Sequence, residues 1–213
     1  MTALDLSAYL GIVAVLLTTA NICLGLLIAV RYSPVRLWPH RRINIFMIHT
    51  WTAYALLASI LLHPIILLFV KLPRWRFVDI ALPLWSPVQP FENTVGAVAL
   101  YLVVVVLLTS YFRLRIGRPR WKRFHYLVYA AGLCIFLHGI LADPTLKGNR
   151  LDLLDGEKLI LEACMLVAVM MTAWAWRYRL GKRAAERQSK ANHSRDLASV
   201  NQRSNAAPTS VEF

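Results

Sequence analysis

Charge is scarce in this chain, and negative charge is scarcer still. Only 16% of its 213 residues are Asp, Glu, Lys or Arg, and 11 acids stand against 24 bases for a formal net charge of +13. A soluble domain carries ~25% charged and ~45–50% apolar residues; here the apolar share is 58%. That shortage of charge excludes an ordinary soluble enzyme. The excess of bases on so apolar a chain does not describe a nucleic-acid binder either. Glycine is also sparse: none of the nine forms a GxGxxG fingerprint, and no long soluble segment is read that would bind flavin or nicotinamide. Cys23, Cys134 and Cys164 form no CxxC pair and no CxxCH haem-attachment motif, and read as small buried apolar residues. No basic stretch precedes the first apolar run, so residues 1–30 are not read as a cleaved signal peptide.

What is present is apolar sequence in long runs. A mean hydropathy of +0.51 and five runs of the ~20 residues that a spanning helix needs predict an all-α, polytopic membrane bundle. The spans are read near 8–30, 44–70, 92–112, 122–142 and 159–178. Val103–Val106 is strand-like by propensity, but inside lipid each segment must satisfy its own backbone, so it is read as helix. The connections 31–43 and 113–123 and the stretch after the last span, counted with Arg177 at that span's end, hold 18 of the 24 bases, and the other two connections hold 6. The positive-inside rule places the 18 in the cytoplasm, with the N-terminus outside and the C-terminus inside. Residues 1–180 are thus expected to be the membrane domain. Residues 181–213 are expected to be a disordered basic and polar tail whose start touches anionic lipid. Residues 71–91, with four prolines, Trp75 and Trp85, read either as an ordered cap at the outer interface or as a plain loop with aromatic anchors. No internal repeat or low-complexity tract is read.

Four histidines lie in spans, His49 and His63 in the second and His125 and His138 in the fourth. Ionisable groups at membrane depth are costly and are functional candidates by default. His49 and His63 are 14 residues apart, ~21 Å along a helix and within ~40° of one face. His125 and His138 are 13 apart, ~20 Å. The two spans run in the same direction, so His49 is level with His125 and His63 with His138. Two levels of paired imidazoles suit two stacked haems, each held from both faces. The 13-residue offset alone turns a ligand ~140° away in an ideal helix, so the fourth span is expected to be distorted, with Gly132 and Gly139 near enough to permit it. A metal site without porphyrin is disfavoured, because no carboxylates accompany the histidines.

The segments IHTWTAYALLASILLHP and WKRFHYLVYAAGLCIFLHGI resemble the two haem-bearing helices of the ferric reductase-like transmembrane domain. That superfamily includes NADPH oxidases, ferric reductases and the haem-binding membrane subunit of bacterial methionine sulfoxide reductase. The resemblance covers roughly residues 8–178. It rests on the double spacing and on the aromatic-basic approach Trp121-Lys122-Arg123-Phe124-His125. It implies two b-type haems, His49/His125 on the inner side and His63/His138 on the outer, and a bacterial cytoplasmic membrane location. Arg41, Arg42, Arg113 and Arg115 are inner candidates for haem propionates and Arg74 and Arg76 outer ones, each weighed against a role in topology or lipid contact. Lys158 and Glu162 read as a helix-surface ion pair, against a proton or quinone role for Glu162. Trp51 and Phe136 read as packing or as porphyrin neighbours. His40 and His193 are not assigned to iron.

Three functions are weighed. One is a di-haem conduit from a cytoplasmic reductase or quinol to an outer-face acceptor, with flavin or quinone supplied through a partner. Another is a cytochrome b anchor subunit linking a periplasmic oxidoreductase to the quinone pool. The third is a non-catalytic scaffold or haem carrier.

Overall fold

The computed structural model describes residues 2–30, 44–142 and 156–206. Eight helices follow in order: α1 (Ala3–Ala29), α2 (Ile45–Leu67), α3 (Phe77–Ala81), α4 (Pro90–Tyr111), α5 (Arg113–Ile116), α6 (Arg118–His125), α7 (Leu127–Leu141) and α8 (Gly156–Ala206), with a 3₁₀ turn at Pro83–Trp85. No strand occurs among the described residues. Five helical stretches are long and apolar enough to span a membrane: α1, α2, α4, α6 with α7, and Lys158–Ser194 of α8. The protein is a multi-pass membrane protein, and the valine run is helical within α4.

Local chemistry sets the helix starts. Thr2 and Asp5 form a reciprocal capping box at α1, and Asn44 Oδ1 accepts the amides of Phe46 and Met47 at α2. The fourth span is broken where its first histidine sits. Tyr126 separates α6 from α7, and the Tyr129 amide donates to the Tyr126 carbonyl in a tighter i→i−3 turn. This overwinding lies beside His125 and not at the two glycines expected to permit it. Those glycines serve packing: a Cβ on Gly132 would meet Ile22 of α1 at 3.1 Å, and one on Gly139 would meet Leu161 of α8 at 3.2 Å.

The chain forms two units, residues 1–171 and 172–213. In the first, α1, α2, α4 and α7 form a ring, each packed on the next, with α2 and α7 across the diagonal and not closely packed together. The core is made of small and branched groups such as Ala14, Ala99, Val103, Ala131 and Ile135. Leu16, Trp51, Val105 and Leu133 face outward. This inverts the soluble pattern, because lipid is as apolar as leucine and close helix contact relies on small residues. Thr18, Thr19 and Ser59 spend their hydroxyls on carbonyls one turn back.

Residues 71–89 form an ordered cap. Arg76 and Asp79 pair at 3.0 Å, and the Asp79 carboxylate also accepts the Arg76 amide. Asn93 Nδ2 donates to Ser86 Oγ and to the Val88 carbonyl, and Tyr101 Oη to the Ala81 carbonyl. Trp75 is 7% exposed and Trp85 74%, so one indole is built into the cap and the other is free to sit at an interface. In the second unit, where disorder was expected from residue 181, helix continues to Ala206. Beyond Gly181 that stretch has no Gly or Pro and many strong helix formers (Ala, Arg, Lys, Gln). Residues 207–213, together with the expected connection 31–43, lie outside the described residues.

Gly132→Leu forces a side chain against Ile22 and should lower stability in detergent thermal unfolding by ~1–3 kcal/mol. The Arg76 guanidinium and backbone amide hold the Asp79 carboxyl below the usual carboxylate range. Its stabilising contribution is present above the unfolded carboxylate pKa and is lost as pH falls through the lowered folded value. The stability difference between the native protein and Asp79→Asn should therefore shrink on acidification; a constant difference would show that the pair does not brace the cap.

Candidate functional site

Across the diagonal of the ring, the four histidines meet in two pairs. The His63 and His138 ring centroids are 6.1 Å apart, those of His49 and His125 are 6.4 Å apart, and both pairs are inclined at 72°. The levels inferred from the spacing are those the fold brings together.

Each pair is seated against α1 and α4. The His63 Nδ1 donates to the Ser7 carbonyl at 2.7 Å, and Ser7 Oγ donates back to the His63 carbonyl at 2.8 Å. The His138 Nδ1 donates to the Glu92 carbonyl at 2.7 Å. A carbonyl only accepts, so both rings carry their proton on Nδ1 and keep the lone pair of Nε2. Helix carbonyls are normally shielded by the side chain one turn later. Here that later residue is glycine: Gly11 follows Ser7 by four and Gly96 follows Glu92 by four. A Cβ on Gly11 would meet the His63 ring at 3.4 Å, and one on Gly96 would meet the His138 ring at 3.0 Å. The missing Cβ thus lets the imidazole come close to the helix and reach the carbonyl.

The arrangement recurs 14 residues further along α1. Asn21 Nδ2 donates to the His49 carbonyl at 2.7 Å and to Thr52 Oγ1, and a Cβ on Gly25 would touch the His49 ring at 3.4 Å. Ser7 with Gly11 and Asn21 with Gly25 therefore mirror His63 and His49 across an antiparallel helix pair. The fourth seat differs. Ser110 stands 14 residues after Gly96, with its Oγ 3.4 Å from the His125 Nδ1 and accepting from Trp121 Nε1 at 3.3 Å. The His49 Nδ1 is buried with no hydrogen-bond partner.

Between His63 and His138 opens a cavity of about 210 Å³. Its deep end is lined by Val15, Ile60, Leu100 and Ile135, and its other end by the polar cap-side groups of Trp75, Asp79, Gln89, Asn93 and Lys158. Trp75 Nε1 is a buried donor with no partner, and Lys158 is 8% exposed. Lys158 turns toward this cavity, and among the described residues it makes no salt bridge with Glu162, contrary to the surface pair expected.

The arginines fare unevenly. Arg74 is exposed and Arg76 is committed to Asp79. Arg113 lies over the Phe46 ring and Arg115 over that of Phe112. Arg41 and Arg42 lie outside the described residues. Trp51 is 66% exposed and meets Tyr54 edge to face, whereas Phe136 is in the core. His193 is in the second unit and His40 lies outside the described residues. Sequence reasoning missed Ser7, Gly11, Asn21, Gly25, Gly96, Ser110 and the inward turn of Lys158. The 14-residue echo of the His49–His63 spacing in Gly11–Gly25 was the available signal.

No curated protein and no solved structure matches the chain. A family model, the ferric reductase like transmembrane component, matches residues 10–136. That range is more than half of the chain and contains His49, His63 and His125, while His138 stands two residues beyond it. With five membrane-spanning helices and histidines paired across their ring, the chain belongs to the family of ferric reductase-like transmembrane components.

Proposed function

We propose that the protein is a di-haem b electron conduit across a bacterial cytoplasmic membrane, in which His49 and His125 would hold one haem and His63 and His138 the other. The observation that carries this is the centroid separation at both levels, 6.4 and 6.1 Å. Two imidazoles bonded to one metal at ~2.0–2.1 Å each have centroids about 6 Å apart. Two protein nitrogens alone do not complete a metal's coordination, and a porphyrin would supply the remaining ligands. The glycine seats, the unpacked diagonal between α2 and α7, and a cavity apolar at depth and polar at the cap fit such a planar amphiphile.

Bound haem iron would cycle between the ferric and ferrous states and carry one electron at a time. The chain's own residues do the rest. Ser7 and Glu92 hold the protons of His63 and His138 on Nδ1 and aim Nε2 at the metal. Trp75 Nε1 and Lys158, both inside the cavity, are better placed to hold propionates than Arg74 or Arg76, because a charge-assisted bond gains from low dielectric. Arg113 and Arg115, with Arg41 and Arg42, remain the candidates at the other end. With 18 bases on one side, the cap faces outward and His49/His125 lies nearer the cytoplasm. With haem bound, an electron would come from a flavoprotein or quinol on that side and pass to an acceptor at the cap.

Purified protein should show two low-spin haems per chain, reducible by dithionite. His63→Ala or His138→Ala should remove one, and His49→Ala or His125→Ala the other; unchanged haem content and spectrum in these variants would end the proposal. A quinol analogue compared with a flavin reductase as donor separates a quinone-linked anchor from a reductase-fed conduit. Lys158→Met should release the cap-side haem to apomyoglobin roughly 10–100-fold more readily, the weight of ~1.5–3 kcal/mol for a hydrogen bond to a charged group. Release at the native rate would return the propionates to the arginines.

A further inference from the structure

The two histidine levels are built alike in spacing and unlike in hydrogen bonding. At the cap end both Nδ1 atoms donate to backbone carbonyls at 2.7 Å. At the other end His49 Nδ1 makes no hydrogen bond of normal geometry, although the Asn21 backbone stands beside it, and His125 Nδ1 meets only a hydroxyl oxygen at 3.4 Å that is shared with the Trp121 indole. The difference on α4 lies at Ser110 and its neighbour Thr109. By the 14-residue register the carbonyl equivalent to that of Glu92 belongs to Val106, and the glycine equivalent to Gly96 is Ser110. A side chain at that position crowds the Val106 carbonyl, which also takes the weaker, 3.1 Å branch of the Thr109 hydroxyl's bond to Val105, and the Ser110 hydroxyl offers His125 a poorer acceptor in its place.

We infer that Ser110 is a positioning residue that sets the two irons at different potentials by withholding a backbone acceptor from His125. This rests on the di-haem reading. A hydrogen bond from Nδ1–H to a carbonyl raises the basicity of the ligating nitrogen. A more basic imidazole favours ferric over ferrous iron, and second-shell hydrogen bonding is one of the protein's levers on potential. Ser110 thus holds the His49/His125 iron higher than a glycine there would. The electron-transfer chemistry is unchanged; only the relative ease of reducing the two sites is set.

The test is a spectroelectrochemical titration of the full haem-loaded chain in detergent, with waves assigned by His138→Ala, which keeps the His49/His125 site. Ser110→Gly opens the Val106 carbonyl to His125 and should move that wave to lower potential while the other wave stays. Ser110→Ala keeps the Cβ and removes the oxygen, so the same wave should stay or rise. Trp121→Phe frees the hydroxyl lone pair for His125 and should lower the wave, which gives a second reading if Ser110→Gly does not assemble. An unmoved or raised wave in Ser110→Gly, or a fall in Ser110→Ala as large as in Ser110→Gly, would overturn the inference. So would an unmoved wave in Trp121→Phe. A native chain carrying fewer than two haems would instead bring down the di-haem reading itself, an outcome separate from two haems with unmoved potentials.

Discussion

An imidazole can offer a lone pair to a metal from one nitrogen only while the other keeps its proton, and something must hold that proton in place. In this protein the holder at the cap end is the helix backbone. The Ser7 and Glu92 carbonyls already take part in their own helices and accept a second bond through the remaining lone pair. That bond is sterically open only because Gly11 and Gly96 lack a Cβ one turn later. The rest of the arrangement follows from it. α1 must run antiparallel to α2, and α4 to α7, in the register that puts each glycine under its ring. The rings then project across the diagonal of the four-helix ring toward each other.

The bilayer explains why such a seat is built from backbone. A polar side chain at membrane depth needs its own partner, and each unsatisfied group there costs several kcal/mol. A carbonyl adds an acceptor without adding a polar side chain. Ser7 and Asn21 follow the same economy, each spending a donor on the main-chain carbonyl of the histidine it supports. The core can stay small and apolar while four imidazoles are oriented inside it. The large side chains turn outward to the lipid.

Much of this was legible in the sequence. The five spans, the helical state of the valine run and the pairing of His49 with His125 and His63 with His138 came from run length, bilayer constraints and 14- and 13-residue spacings. The 13-residue mismatch was legible as a problem, but its location was not. Gly132 and Gly139 are the local breakers by composition, yet the tighter turn falls at Tyr126, while both glycines are taken up in helix contacts. Arg76 as an outer anion partner was equally plausible on charge alone. Only the cap fold shows that Asp79 occupies it and that Lys158, from a helix far along the chain, turns inward instead. The tail beyond residue 181 was read as disordered from its polarity, whereas helix propensity carries it to Ala206.

The sequence by itself determined the class of the protein, the number of its spans and the two levels of histidine. These are one-dimensional quantities: counts, run lengths and spacings along a single helix of known rise. Tertiary structure alone decided which groups face each ring. Whether Ser7 or Glu92 meets an imidazole depends on helix register across a pair, and no residue within one helix records its neighbour's register. The same holds for the difference between Gly96 and Ser110. Along the chain it is a small substitution in an apolar span; across the α4–α6 contact it puts a hydroxyl oxygen, 3.4 Å away, beside the His125 Nδ1.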